Sequence, residues 1–504
     1  MMRYTRSWYW SLGELVTIGS LLGVGFVVPE LWWLSLVGLV WFIVNIVSSS
    51  RRQAALSGGI VFFVCNIWAL SWFSSVPPVD WLPIPDQFVW ILILVFWLTS
   101  ALWLSLVGPV FAILMYEIYH RTAPWVLVPV FTIGWVGAEV TGSLLFSVFF
   151  MGPGGTININ NSGGYIGYHL AQHASLFHLS AWGGVYILSA ALALVAGVIW
   201  LLWQNVSSKK TKTALLAGIS VLLLASALPS VGQYVAPEVV SPELSVLVLE
   251  TQFVGQLHLD FIPSDERTQM FTDIFTEVGS EDFDYIVLPE DSRFTAGFGP
   301  RLFSVAYLRS LFGTSTAQMI DSGANTEGDR AVIRGEIIDL ASMDRIKLDK
   351  QYLVPQGEYL PYLYTTVFQW LGFGDKIAEI EADLSYSPGP HREQRNLDQS
   401  IPRILFCFES VNPRGVRQII DTKTSPRPLV VHPLSHAWFN EPTILHHQLD
   451  AMLRVQARWN NVFIISAGNK APSKLYAPDG SIVSTTDKKP LYTNEYIAAY
   501  HFQF

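Results

Sequence analysis

Ile404-Leu-Phe-Cys-Phe-Glu-Ser410 decides how this chain is read. Three apolar residues run into a cysteine, and a carboxylate and a hydroxyl follow at once. The spacing predicts an apolar strand over about 403–409 with a nucleophilic residue near its end. Similar strands are expected at Ser245–Glu250, at Asp284-Tyr-Ile-Val-Leu-Pro-Glu290, and over 331–340, 429–433 and 462–466. Helices are expected over 264–279, opening near Ser264, and over about 442–459. Strands alternating with helices imply an α/β layer architecture. In such folds chemistry gathers at strand ends, where Glu290 and Cys407 both lie.

Outward from this region, the amino-terminal half is of another kind. Up to about residue 230 the chain is a series of apolar runs, near 11–29, 31–48, 55–76, 87–117, 123–149, 178–203 and 213–229. Each approaches the roughly 20 residues that a bilayer core requires. The first reads as a span rather than a cleaved signal peptide, because spanning runs follow it directly. Arg3 and Arg6, Arg51-Arg52, Arg121, and Lys209, Lys210 and Lys212 occupy alternate loops; the loops between them carry Asp80 and Asp86, or Gly, Asn and His. Basic loops mark the cytoplasmic side, so seven spans would leave everything after residue 230 outside.

Composition agrees: 51% of the 504 residues are hydrophobic and 14% charged, a membrane composition. The net charge of −9 argues against a nucleic-acid partner, which would need clustered Lys and Arg. Cys65 and Cys407 are the two cysteines. One lies in an apolar run and the other in the polar half, so no disulfide framework is expected. Cys407 fits a nucleophile or a buried core thiol. Glu139, inside the fifth run, fits a functional carboxylate or a structural one facing other helices. His169, His173 and His178 have helical spacing but no accompanying thiol or carboxylate, so no metal site is expected.

Three segments carry the chemistry: Leu288-Pro-Glu-Asp-Ser292, Lys350-Gln-Tyr-Leu-Val-Pro-Gln-Gly-Glu-Tyr-Leu-Pro361, and the Cys407 segment. Taken singly, Glu290 could end a strand, Lys350 could be one solvated charge beside Asp344, Arg345, Lys347 and Asp349, and Glu358 could cap a turn. Taken together and in this order, they resemble the nitrilase, or carbon–nitrogen hydrolase, superfamily, which uses a Glu-Lys-Cys triad on an αββα sandwich. Val430-Val-His-Pro-Leu-Ser-His-Ala-Trp-Phe439, Ser466-Ala-Gly468 and Asp479-Gly480 extend the likeness over roughly 244–490. With membrane runs ahead of it, Val354-Pro-Gln-Gly-Glu-Tyr359, Gly163-Gly-Tyr-Ile-Gly-Tyr168 and Gly184-Val-Tyr-Ile-Leu-Ser189 are similar to the apolipoprotein N-acyltransferases, the membrane branch.

The resemblance implies a multi-helix transmembrane bundle over 1–235, followed by an extracytoplasmic nitrilase-like αββα domain over 236–504. It implies Glu290 as general base, Lys350 as stabiliser of thiolate and oxyanion, Cys407 as nucleophile and Glu358 as the orienting second glutamate. The Phe408 N–H would be an oxyanion donor and Glu409 a support. It further implies an acyl chain moving from a phospholipid donor, through a Cys407 thioester, to the α-amine of a diacylglyceryl-modified lipoprotein, at the bilayer surface and without a cofactor. The alternative is a membrane-tethered amidase or nitrilase that hydrolyses a C–N bond. Departures from the family pattern fall at Gln356, Phe408, Leu434-Ser-His436 and Ala457, and Tyr500–Phe504 shows no final apolar span. They leave the triad intact and bear on the donor and the acceptor.

Overall fold

The computed structural model describes residues 8–77, 86–204, 243–254, 262–278, 283–295, 301–313, 315–327, 330–375, 377–378, 381, 386–389, 394–424, 427–440 and 442–504. Helices α1 (Trp8–Gly23), α2 (Leu34–Ser48), α3 (Arg51–Ala69), the consecutive α4 (Asp86–Ser105) and α5 (Val107–Arg121), α6 (Pro124–Phe149) and, after the short α7 (Ala174–Phe177), α8 (Ser180–Gln204) stand on six of the expected apolar runs. The run at 213–229 lies outside the described residues, as do Arg3, Arg6, Asp80, Lys209, Lys210 and Lys212.

Phe88–Arg121, Pro124–Phe149 and Ser180–Gln204 are long and apolar enough to cross a membrane, and Leu12–Phe26 and Leu34–Ser48 are shorter apolar helices. The bundle is apolar on both sides. Phe42, Phe62, Phe111, Phe131 and Trp135 interlock inside it, while Trp90, Val110 and Ile133 are exposed. Helices apolar all round belong in lipid or in a large core. Gly58 of α3 and Gly108 of α5 touch backbone to backbone: a Cβ on either would meet the other's carbonyl oxygen at 2.1 or 2.4 Å. Small residues permit such contact between apolar helices.

One end of the bundle is basic. Glu117 accepts ion pairs from Arg51 (3.3 Å) and Arg121 (2.7 Å), which brings the start of α3 and the end of α5 together. Where α3 and α6 finish, at the opposite end, the polar half docks. Gln448 Nε2 donates to Ala69 O at 2.9 Å, Tyr359 Oη to Phe150 O at 2.8 Å, Tyr362 N to Met151 O at 2.9 Å, and Arg454 Nη1 to Ala171 O at 2.7 Å.

The polar half is a mixed sheet flanked by helices. Its strands are β1 (Ser245–Thr251), β2 (Tyr285–Val287), β3 (Gln318–Glu327), β4 (Arg330–Asp339), β5 (Arg345–Asp349), β6 (Arg403–Ile404), β7 (Val430–Ser435), β8 (Ile464–Asn469), β9 (Lys474–Tyr476), β10 (Ile482–Ser484), β11 (Tyr492–Thr493) and β12 (Ile497–Gln503). One arm runs β1-β2-β3-β4-β5, with β12 antiparallel to β1; the other runs β6-β7-β8-β9-β10. The arms join at Thr251↔Asn469.

Period-two alternation sorts the side chains into layers. Leu247 and Leu249 of β1 pack with Phe271 and Ile274 of α9 (Ser264–Val278) and Leu308 of α10 (Arg301–Phe312). Val246 and Val248 face the other way, into a cluster with Ile404, Phe406, Val431 and Ile465. Beyond it, Val430 and Ile464 meet Leu449 and Leu453 of α13 (Thr443–Asn460); α11 (Tyr362–Trp370) and α12 (Gly415–Ile419) precede α13 in the chain.

Two expected strands are shorter than their composition suggests. The strand ending at Glu290 stops at Val287. The one expected over 403–409 stops at Ile404, and a 3-10 turn occupies Cys407–Val411. That turn is built by a side chain: Glu409 Oε2 accepts from Phe406 N at 3.1 Å, which offers the backbone an alternative to the ladder.

Candidate active site

Each of the three motif segments ends a strand and turns at once, and the turns are held by buried polar groups. After β2 the chain passes Glu290 into Asp291 (φ 63°) and Arg293 (φ 53°), both left-handed. Such residues cost roughly 1–3 kcal/mol each and persist only where the surroundings hold them. Here the fully buried Arg267 donates to Asp291 O at 2.7 Å, Arg293 N donates to Ser322 O at 3.3 Å, and Ser292 Oγ donates to Asp321.

Lys350 follows β5, its N–H donating to Ile333 O at 2.8 Å. Its side chain is wholly buried, whereas Lys347, three residues earlier, is 53% exposed. Lys350 is therefore not one of the solvated charges of its segment. Its Nζ donates to Glu290 Oε1 at 2.9 Å and to Glu358 Oε1 at 2.6 Å. The second Glu358 oxygen accepts from Val354 N at 2.8 Å, which fixes that carboxylate against the lysine.

Cys407 opens the 3-10 turn, with its thiol directed at Ser435 O, 3.8 Å away. The Phe408 ring packs on Tyr352 with centroids 4.9 Å apart. The Phe408 N–H donates to no group among the described residues, as the open first turn of a short helix allows. Glu409 ties the two halves of the site together: its Oε1 accepts from Gln351 N at 2.8 Å and Tyr352 N at 3.2 Å, beside its bond to Phe406 N.

Sequence reasoning passed over His432. Its Nε2 lies 3.2 Å from Cys407 O and its Nδ1 3.0 Å from Ser466 Oγ. A carbonyl only accepts, so Nε2 carries the proton and Nδ1 accepts from the serine hydroxyl. Burial holds this imidazole near 4, hence neutral. The one available signal was its place in Val430-Val-His432, an apolar strand that has no other reason to bury an imidazole.

The charges are interdependent. Burial pushes the Glu290 carboxyl up to about 7; Lys350 opposes the rise and Glu358 adds to it. Burial also acts most strongly on Lys350, against its charge, but Glu290, Glu358 and Cys407 together outweigh it and hold the ammonium above the ordinary lysine range. Burial raises the Cys407 thiol well above its usual value; Glu290 reinforces this and Lys350 opposes it. At rest the site is thus a neutral thiol near a carboxyl that titrates close to neutrality, with a fixed ammonium between two carboxylates.

The other candidates have structural employment. Glu139 Oε1 accepts from Ile166 N at 2.9 Å and Trp135 Nε1 at 3.1 Å. His169 pairs with Ser35 Oγ at 2.8 Å, and His173 caps α7 by accepting from Leu176 N at 3.2 Å. Among the described residues no group of His, Cys, Asp or Glu side chains could hold a metal ion.

Comparison with known proteins gives two kinds of likeness. The structure is similar to a CN-hydrolase superfamily protein of Xanthomonas campestris solved with an arsenic adduct in its active site, at 15% identity and TM-score 0.34, over 52% of this chain and 91% of that one. It is also similar to the glutamine-dependent NAD+ synthetases of Acinetobacter baumannii (12% identity, TM-score 0.35) and Cytophaga hutchinsonii (9%, 0.32), each over 52% of this chain. The likeness spans 46% and 43% of those two chains, less than half of either synthetase. No curated protein matches the chain. Residues 18–198 match the apolipoprotein N-acyltransferase N-terminal domain.

Proposed function

We propose that the chain is an N-acyltransferase that carries a fatty acyl group from a phospholipid, as a Cys407 thioester, to the α-amine of the S-diacylglyceryl cysteine of a lipoprotein. The observation that carries this reading is the buried Lys350 ammonium, hydrogen-bonded to Glu290 and Glu358 with the Cys407 thiol close enough for their charges to act on it.

Glu290 is the general base. A thiol raised by burial is no nucleophile until its proton leaves, and a carboxylate titrating near 7 is matched to receive it. As Cys407 Sγ attacks the ester carbonyl, the Sγ–H proton passes to Glu290 and the carbonyl π pair moves onto oxygen. Lys350 and the Phe408 N–H stabilise that oxyanion. When it collapses, the ester C–O bond breaks and Glu290 returns the proton to the departing lysophospholipid oxygen. The lipoprotein amine then attacks the thioester, Glu290 accepts the amine proton, and Cys407 leaves as the thiol. Glu358 keeps Lys350 oriented, and Glu409 and His432 keep the nucleophile's turn in register.

The membrane context supports the substrate class. In this reading residues 1–235 form a multi-pass bundle in the cytoplasmic membrane, and residues 236–504 form an αββα domain on the extracytoplasmic face. The Arg51–Glu117–Arg121 cluster at one end of the bundle, with the catalytic segments docked at the other, is what the positive-inside rule asks of that orientation. Helix α11 presents exposed Leu363, Val367 and Trp370 directly after the Glu358 segment, an apolar face suited to lipid beside the site. The test is acyl transfer to a diacylglyceryl peptide by the purified protein. Cys407→Ala is expected to fold and to transfer nothing; transfer at the wild-type rate refutes the proposal.

A further inference from the structure

We infer that the chain holds a second lipid site, apart from the thioester centre: a groove for the phosphate headgroup of an anionic phospholipid. It rests on the reading that the sheet domain faces the outer leaflet. Helix α8 breaks at its start, where Gly183 and Gly184 leave helical geometry and Gly184 takes φ 60°. A Cβ on Gly184 would stand 2.4 Å from the Trp459 ring. The break therefore seats Trp459 of α13 against the membrane helix, and an open groove of about 510 Å³ lies beside it.

The groove has two chemistries. Its membrane wall is Val140 of α6, Ile159, and Ile187 of α8, all apolar. Its opposite wall is Arg414 and Arg417, which begin and lie within α12. The Arg417 guanidinium sits 5.0 Å over the Trp459 ring, and Tyr186 meets the same ring edge-on at 6.1 Å. Among the described residues no acidic side chain lines the groove and neither arginine forms an ion pair. Arg395 bonds the Arg417 and Gln418 carbonyls, which brings a third guanidinium to the same loop. With the sheet domain at the outer leaflet, arginines without an ion pair beside apolar side chains fit a phosphate with acyl chains beneath it. Val411 O, three residues before Arg414, accepts from Ser162 N and Oγ at 3.0 and 2.6 Å, so a lipid bound here would brace the segment that leads back to Cys407.

The experiment is native mass spectrometry of the detergent-solubilised full chain as Cys407→Ala, which separates lipid retention from thioester chemistry. Phosphatidylglycerol, phosphatidylcholine and inorganic phosphate are the probes. The expected result is retention of phosphatidylglycerol over phosphatidylcholine, weakened at least about tenfold by Arg414→Gln with Arg417→Gln and largely restored by Arg414→Lys with Arg417→Lys. Arg414 is exposed, so Arg414→Gln alone serves if the double variant does not fold. Equal retention of the two lipids, or unchanged retention in the glutamine variants, overturns the inference. Displacement by millimolar inorganic phosphate overturns the lipid source. Cys407 acylation in the otherwise wild-type chain is read separately, so loss of this site and loss of the acyltransferase reading are distinct results.

Discussion

Glu139 in the bundle and Glu290 in the sheet domain are both buried, and they are surrounded differently. Glu139, in the bundle, is met by neutral donors: a backbone N–H of the loop that follows α6 and an indole on its own helix. Glu290, in the sheet domain, is met by an ammonium that also serves a second carboxylate, and its charge acts on the Cys407 thiol. Neutral donors fix a carboxylate in place. An ammonium beside a thiol gives it a proton to exchange and a charge to stabilise. Burial alone thus does not mark a catalytic acid or base; the partner does.

The sharpest break in the comparison comes from removing the groups proposed to react. Cys407→Ala is expected to lower acyl transfer by about 10³-fold or more. Lys350→Met should do the same and, by leaving two buried carboxylates facing each other, should also destabilise the fold by about 3–5 kcal/mol; a thermal melt alongside the assay reads both effects.

Glu290→Gln keeps the shape and removes the proposed base, for an expected loss on the order of 10²–10⁴-fold. Glu290 must be ionised to accept the thiol proton, so kcat/KM for the acyl donor should rise with pH through about 7. Its raised value also means that the folded chain holds this proton more tightly than the unfolded one. That contribution to stability is complete below the ordinary carboxylate value of 4.5 and fades as the pH rises through about 7. A flat rate profile between pH 5.5 and 8.5 would remove Glu290 from the base role.

Smaller effects test the supports. Glu409→Ala leaves the Gln351, Tyr352 and Phe406 N–H groups without their acceptor and should lower stability by about 1–3 kcal/mol, with a rate loss near tenfold. Glu139→Gln retains a carbonyl oxygen for both of its donors and should leave transfer within about threefold. A loss at Glu139 as large as that at Glu290 would break the comparison outright.

Much of this was legible in the sequence because it is local. Apolar runs mark helices wherever lipid or core surrounds them, and six runs were helices within a few residues. The motif residues stood out because, in order, they resemble one family's pattern, and Glu290, Lys350 and Cys407 each come just after a strand. What the sequence hid is long-range. Strand β3 carries Asp321-Ser-Gly-Ala-Asn-Thr326 along its length and has no apolar alternation to reveal it; its ten residues are held by pairing with β4. Strand β12 is a strand because β1 lies beside it, Ser245 opposite Gln503. The turn at Cys407 came from the reach of the Glu409 side chain, and the part played by His432 depends on Ser466, thirty-four residues away.

The central claim is that Cys407 carries the acyl chain. Incubating the purified full chain with phospholipid and analysing its peptides by mass spectrometry tests it most directly. The account predicts one added acyl mass on the peptide that contains Cys407, removable by hydroxylamine and absent from Glu290→Gln. An unmodified Cys407 peptide from protein that nevertheless transfers acyl groups to a lipoprotein amine would contradict it.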